Sequence, residues 1–187
     1  MKDLEDIFSS FETGIRSAKA IKPKGYLNSL GLDYTDLRIG FNSGQFHHKK
    51  DQDYKDRFEA LGMLTKSDAG VNKETLTAYT VFGRYGIVFP LVNKLNEIVN
   101  LFAVRFELDT PTEDYLNQDG IYPCYPHTLT KRLFIVPTVM DGASLLQSKT
   151  LENREAVIAL HNGELLPQHL EAIQSLTELQ EIILLKR

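Results

Sequence analysis

Two adjacent histidines followed by two lysines form a dense group of chemically versatile side chains. His47-His48-Lys49-Lys50 could ligate a metal ion through the imidazoles or contact a phosphate through the ammonium groups. Metal sites need carboxylate or cysteine companions, and these adjacent histidines on a polar loop lack them. We therefore interpret the group as part of a solvated loop.

The other reactive side chains show no catalytic arrangement. Ser, His and Asp are scattered without a triad-like pattern, and there is neither a phosphate-binding loop nor a dinucleotide fingerprint. Cys124 is the single cysteine, which excludes an internal disulfide and argues against a Cys-rich zinc site. We expect a reducing, cytoplasmic location.

Composition places the chain among ordinary globular proteins. It has 187 residues, of which 42% are hydrophobic and 25% charged, enough for one compact domain or two small subdomains. No apolar run approaches the ~20 residues of a membrane span, and the acidic start is not a secretory signal. The net charge of -4 argues against tight, nonspecific DNA binding by the whole chain. A local basic patch stays open, because acids cluster elsewhere in the sequence (Asp3, Glu5, Asp6, Asp109, Glu113 and Asp114).

The first half predicts helices followed by antiparallel strands. Apolar residues at helical spacing from Leu4 to Ile15 predict an amphipathic helix that packs on the core or, alternatively, docks a partner. The stretch 21–25 should break it, and residues 26–32 and 54–61 should form short helices that end at glycines. Three strand-like runs predict an antiparallel meander, and a polar loop should follow (runs 75–81, 87–89 and 101–104; loop 107–130).

The last third has a different pattern. Continuous apolar runs at 133–136, 156–160 and 182–185 alternate with helical stripes at 143–146 and 166–176. Strands that are apolar throughout and alternate with helices are typical of a parallel sheet covered on both faces, with right-handed crossovers.

Several of these segments, taken in order, resemble the core of bacterial primases. The helix and strand of residues 26–41 resemble its opening, and Gly83-Arg84-Tyr85-Gly86-Ile87-Val88-Phe89-Pro90-Leu91 resembles its "R-x-x-I-x-F-P-I" strand. A turn and a strand ending at Arg105 follow, as in the family. Leu133 to Ala143, Ala156 to Gly163 and Leu179 to Leu185 resemble three strands of a TOPRIM domain. The likeness covers roughly residues 22–187 and is nearest to primase-type proteins of mobile genetic elements, such as transposons.

The resemblance implies an α/β fold in which an α+β meander subdomain precedes an incomplete, TOPRIM-like parallel βαβαβ half. We expect an N-terminal helix over 1–21, the primase-like subdomain over 22–110 and the TOPRIM-like part over 111–187. In the family the matching meander face lines a nucleic-acid groove, so the candidate DNA contacts are Arg84, Lys94 and Arg105. Weaker candidates are Lys131 and Arg132, which could instead protect a strand edge from aggregation.

The departures from the family concern its metal site. TOPRIM chemistry uses a glutamate after the first strand and an Asp-x-Asp pair after the third, because Mg²⁺ prefers carboxylate oxygens. Here Pro137 takes the glutamate position, and the third run leads into Lys186-Arg187 without that pair. Asp141 is a candidate match to a family aspartate, but a single carboxylate near a helix start is more often a capping residue. Gly163 and Glu164 lie in the turn near the family's active site. We therefore expect a degenerate site with no cofactor, although Mg²⁺ belongs to the family.

Three functions remain open. The leading one is a non-catalytic accessory protein of a mobile element that binds single-stranded or forked DNA or a replication or excision partner. The second is part of an active primase whose Asp-x-Asp strand comes from downstream sequence or another chain, and the third is a protein-interaction module without nucleic acid. The third parallel strand should leave an open edge, either covered by the N-terminal helix or used in a homodimer.

Overall fold

A computed structural model describes residues 2–67, 79–106 and 110–186. The elements in chain order are α1 (Lys2–Gly14), a 3₁₀ turn (Ala18–Ala20), α2 (Ile21–Ser29), β1 (Gly40–Asn42), α3 (Gln52–Ala60), β2 (Leu64–Lys66), β3 (Tyr79–Val81), β4 (Gly86–Val92), β5 (Ile98–Arg105), β6 (Thr112–Tyr115), β7 (Arg132–Val136), α4 (Val139–Gln147), β8 (Glu155–Ala159), α5 (Pro167–Gln174) and β9 (Glu181–Leu184). Part of the predicted run 75–81 (residues 75–78), together with Asp109 and Arg187, lies outside the described residues.

The first sheet is antiparallel and has the strand order β1-β4-β5-β6. Both faces of β4 are buried: Ile87, Phe89 and Leu91 face one core cluster, and Val88 and Val92 face another. Apolar residues therefore run through the whole strand, because neither face meets water. The predicted hairpin of β4 and β5 is confirmed by their antiparallel register.

Helix α1 covers one face of this sheet. Its stripe of Leu4, Ile7, Phe8 and Phe11 is buried, and the helix packs on β1 and β5. The core-packing interpretation is confirmed. The suggestion that this helix covers the open edge of the parallel sheet is wrong, since the helix lies on the other sheet.

The second main sheet is parallel, with the order β8-β7-β9. Helices α4 and α5 cover its two faces, since Val139 and Ala143 join one core cluster and Ala172 joins another. The predicted βαβαβ half is confirmed. Residues Ile121–Tyr122 link the sheets, because Ile121 bridges to the end of β4 and Tyr122 bridges to the end of β8.

Three local expectations were wrong. Helix α2 already begins at Ile21, because Pro23 falls in the first turn, where no intrahelical N–H bond is needed. Strand β3 pairs with β2 in a separate two-stranded sheet and does not extend the meander. Strand β6 forms inside the predicted loop and pairs with β5, so the predicted boundary at 110 falls before the last strand of the first sheet.

Candidate nucleic-acid interface

The carboxyl ends of the three parallel strands bring the TOPRIM-like positions together. Pro137 follows β7, and the turn after β8 contains Asn162 and Gly163, both with positive φ. The Gly163 amide donates to the Pro137 carbonyl at 2.8 Å. Such a pair of left-handed residues suits Asn-Gly and makes a tight reversal. Glu164 is exposed at the end of this turn.

Thr138 and Asp141 form the start of α4. The Asp141 amide donates to Thr138 Oγ1 at 3.2 Å, and the Thr138 hydroxyl donates to Asp141 Oδ2 at 2.6 Å. Thr138 is thus the N-cap residue, and Asp141 adds a favourable negative charge in the first turn. The Asp141 carboxylate serves the helix terminus.

The residues at this edge do not fit Mg²⁺. Hard divalent cations need several convergent oxygen ligands, usually including more than one carboxylate. Within 2–67, 79–106 and 110–186, no three His, Cys, Asp or Glu side chains are arranged to hold a metal ion. Pro137 offers no side-chain oxygen, and the carboxylate of Asp141 is bonded to Thr138.

Behind the same edge lies a buried aromatic cluster that sequence reasoning missed. The His161 ring stacks on Tyr115 with centroids 4.3 Å apart, and His169 meets His161 edge-on at 5.4 Å. Burial lowers the pKa of His161 and lowers that of His169 to about 4, with His161 adding to the second effect. The Nδ1 of His169 accepts from the Leu166 amide at 2.9 Å, which caps α5. The available sequence signal was the place of His169 at the third position of a helix that begins with Pro167.

Arg84 and Arg105 lie at one end of the β4–β5 hairpin, whereas Lys94 lies in the turn at the other end. Gly86 is opposite Arg105 in the register, so Arg84 and Arg105 are near neighbours in the fold. The length of β4 separates them from Lys94 by about 20 Å. Lys94 pairs with Glu171 of α5, and Arg105 Nε lies 2.6 Å from Asp114 Oδ2. The three candidates therefore do not form one patch.

Arg132 and Lys131 lie at the amino ends of the parallel strands, away from the TOPRIM-like turn. Arg132 pairs with Glu155 on one neighbouring strand and, at 2.9 Å, with Glu181 on the other. The Lys131 amide donates to the Arg154 carbonyl at 2.8 Å. In this arrangement Arg132 links the three strands electrostatically.

Arg84 borders a pocket of about 430 Å³ that also contains the adjacent histidines. His47 packs edge-on against Tyr79 of β3, with the ring centroids 5.8 Å apart. His48, Lys49 and Lys50 are exposed, as expected for a solvated loop, whereas His47 is partly buried. The contact with β3 is tertiary, and no local pattern in the sequence indicates it.

Solved bacterial primase cores have this fold. A DNA primase domain from Pseudomonas aeruginosa superposes with a TM-score of 0.76 at 15% identity, over 97% of this chain and 59% of that chain. The DnaG primase catalytic domain bound to ssDNA gives 0.74 at 16% identity, over 96% and 58%. The RNA polymerase domain of Mycobacterium tuberculosis DnaG, in complex with a double-stranded DNA oligomer with a 6-nucleotide overhang, gives 0.69 at 13% identity, over 95% and 60%. No family model and no curated protein matches the sequence.

These likenesses establish the fold. The chain adopts the fold of a DnaG-type primase core. The superposition covers 96% of the chain and includes both the antiparallel sheet and the parallel sheet. It spans 58% to 60% of the length of the three solved chains named above. Among the described residues, no helix has the length and apolar character to cross a membrane.

Proposed function

We propose that this chain binds nucleic acid on a primase-core frame and does not synthesise primers. The observation that carries the proposal is the edge formed by Pro137, Thr138 and Asp141. By the resemblance, Pro137 stands where the family has its first metal carboxylate, and the neighbouring Thr138 and Asp141 bond each other at the start of α4. Phosphoryl transfer depends on metal ions to neutralise developing charge, and the described residues at this edge do not supply the ligands to hold one.

The nucleic-acid half of the proposal rests on the basic end of the first sheet. Arg84 lies there beside lysines and histidines in a concave surface. Solved cores of the same fold were captured with single-stranded DNA and with an overhanging duplex. By analogy, we expect single-stranded or forked DNA to bind this chain, and the binding to weaken with salt.

The setting we propose is replication or excision of a mobile element, in which the chain acts as an accessory protein. This follows from the resemblance of its motifs to primase-type proteins of such elements. A replication or excision protein would then be its partner.

A second candidate is part of an active enzyme. The observation that favours it is the open edge of β9, where Ile182 and Leu184 are 44% and 65% exposed. A further strand carrying Asp-x-Asp, from additional sequence or another chain, could extend the sheet there. Even then, Pro137 would leave the first-strand position without its carboxylate.

A third candidate, a protein-interaction module, is favoured by the net charge of -4. Primer synthesis on a single-stranded template with Mg²⁺ or Mn²⁺, measured beside DNA binding, tests the leading proposal against the third candidate. Repeating the assay with a chain that supplies an Asp-x-Asp strand tests the second candidate. We expect binding without primers. Primers would contradict the leading proposal, and absence of both activities would favour the third candidate.

A further inference from the structure

The pocket beside Arg84 carries positive charge with no lining carboxylate among the described residues. We call it the His47 pocket; its chemically active side chains are His47, His48, Lys49, Lys55, Arg84 and Tyr85. They come from the loop after β1, from α3 and from the turn before β4. Three of these side chains are cations at neutral pH, although the chain as a whole is acidic.

A buried asparagine fixes the two walls of the His47 pocket relative to each other. Asn42 is fully buried; its Oδ1 accepts from the Gly44 amide and its Nδ2 donates to the Phe82 carbonyl, both at 2.8 Å. One side chain therefore ties the histidine loop to the turn that presents Arg84. Such preorganisation lowers the entropy cost of binding.

The close approach of Arg84 to the loop depends on Gly44. A Cβ on Gly44 would lie 2.7 Å from Arg84 Cγ, and the φ of Gly44 is +78°. The guanidinium group lies over the Tyr85 ring, 5.2 Å from its centroid. Arg84 thus packs against Gly44 along its stem and against the Tyr85 ring at its head group.

The pKa of His47 is lowered by its position in the pocket. Burial lowers its pKa, and the nearby His48, Lys55 and Arg84 lower it further. Its Nδ1 is buried, and no hydrogen-bond partner for that atom exists within the described residues. The titratable and charged groups that line the pocket around His47 are His48 and Lys49 on its own loop, Lys55 on α3, Tyr79 on β3, and Arg84 and Tyr85 in the turn. A bound anion would add negative charge beside His47 and so favour its protonated form.

We propose that the His47 pocket binds one phosphate group, with Lys55 and Arg84 supplying the charge and His47 a hydrogen bond. The proposal rests on the proposed function and names a specific contact site for it. A phosphate offers several acceptor oxygens, which suits lysine, arginine and protonated imidazole donors. The phosphate could belong to a nucleic-acid backbone or to a free nucleotide or pyrophosphate.

The test uses the full chain, a labelled single-stranded oligonucleotide and inorganic pyrophosphate. Fluorescence anisotropy across a salt series compares Lys55→Gln with Lys2→Gln, which makes the same charge change at an exposed position of α1. We expect Lys55→Gln to flatten the slope of log affinity against log salt by about 0.7, the value for one phosphate contact on a single strand. Lys2→Gln should leave that slope unchanged.

A second variant tests the imidazole. Wild-type affinity for the oligonucleotide should rise as pH falls from about 8 to about 6, because the bound phosphate favours protonated His47. His47→Gln should reduce that rise, whereas His127→Gln, at an exposed position, should retain it. Thermal unfolding of each variant checks that the fold is intact.

The outcomes separate this proposal from the proposed function. If DNA binds but both the Lys55→Gln slope and the His47→Gln pH profile match wild type, the pocket proposal is overturned and DNA binding stands. If DNA does not bind but calorimetry detects pyrophosphate binding that Lys55→Gln abolishes, the pocket takes a free phosphate and the proposed function is wrong. Competition of pyrophosphate with bound DNA would support a shared subsite, and no binding of either ligand overturns both proposals.

Discussion

Thr138 and Asp141 stabilise the beginning of α4 through two mutual hydrogen bonds, at the positions that the sequence resemblance matches to the TOPRIM metal site. The Thr138 side chain is buried with its hydroxyl bonded to the helix, so its contribution is to the fold. The bonds between Thr138 and Asp141 therefore favour a helix-capping role for this pair over a role as the remnant of a metal site.

Replacing the cap should therefore cost stability. We expect Thr138→Ala to lower the free energy of unfolding by about 1 kcal/mol, as for other N-cap threonines. Exposed Thr110→Ala serves as the control and should change it by less than about 0.5 kcal/mol. Urea denaturation with and without Mg²⁺ measures both; stabilisation of the wild type by Mg²⁺ that Thr138→Ala removes would contradict the capping account.

The buried histidines should make stability depend on pH. The pKa of His169 is lowered from 6.5 to about 4 on folding, so the unfolded chain binds more protons between these values. Protonation then favours unfolding: this part of the stability is complete above about pH 6.5 and is lost as pH falls toward about 4. His169→Gln keeps an acceptor at the capping position of α5 and should flatten the fall. His127→Gln, at an exposed site, is the control; equal slopes for wild type and His169→Gln would contradict the prediction.

At the residue scale, the sequence predicted only those features of the site that depend on neighbouring residues. The turn at Asn162-Gly163 and the lack of metal carboxylates at Pro137 follow from the order of residues. The contacts His161–His169 and His47–Tyr79 join segments that only the fold brings together. In the sequence, these histidines cannot be told apart from histidines on the surface. The separation of Lys94 from Arg84 likewise depends on which end of the β4–β5 hairpin each occupies.

At the scale of elements, helix α1 is part of the core of the first sheet. Phe8 is fully buried in the cluster that α1 shares with β4 and β5. We expect Phe8→Ala to cost about 3–5 kcal/mol, the range for removing a buried aromatic ring. Exposed Ser9→Ala is the matched control and should have little effect. A small loss for Phe8→Ala, measured by denaturant unfolding, would instead favour a helix that only docks a partner.

The open edge of β9 is the second element-level feature. Leu184 is 65% exposed, and α1 lies elsewhere, so the predicted homodimer would pair the edges of two copies. We expect sedimentation to show association that increases with concentration and that Leu184→Lys reduces, because a charge on an edge strand opposes pairing. Leu184→Thr, at the same position, is the control that adds no charge. A monomer at all concentrations would contradict the dimer.

Helices and strands with a clear apolar pattern were predicted from the sequence. Strands that depend on pairing with a distant strand were not. The three parallel strands and α3, α4 and α5 follow from continuous apolar runs and helical stripes. Strand β6, with the sequence Thr-Glu-Asp-Tyr, has the polarity of a loop and becomes a strand by pairing with β5. Strand β2 was missed for a similar reason, since two of its three side chains are exposed.

At the scale of the whole molecule, the two sheets share one core and present different chemistry at their ends. The cluster that contains Phe89 and Phe102 also contains Val136 and Ala159, so the antiparallel and parallel sheets pack into one body. The first sheet ends in the basic His47 pocket. The second ends at the capped start of α4, where the described residues assemble no metal site. This combination favours retention of nucleic-acid binding with loss of the metal chemistry.

The most direct test of this account is DNA binding by fluorescence anisotropy, with single-stranded and forked oligonucleotides, across a salt series and with or without Mg²⁺. We predict binding that weakens steadily with salt and is the same with Mg²⁺ and with a chelator at matched ionic strength. Absence of binding at low salt would contradict the nucleic-acid account and favour a protein-interaction module. Binding that requires Mg²⁺ would contradict the proposal that the metal chemistry is lost.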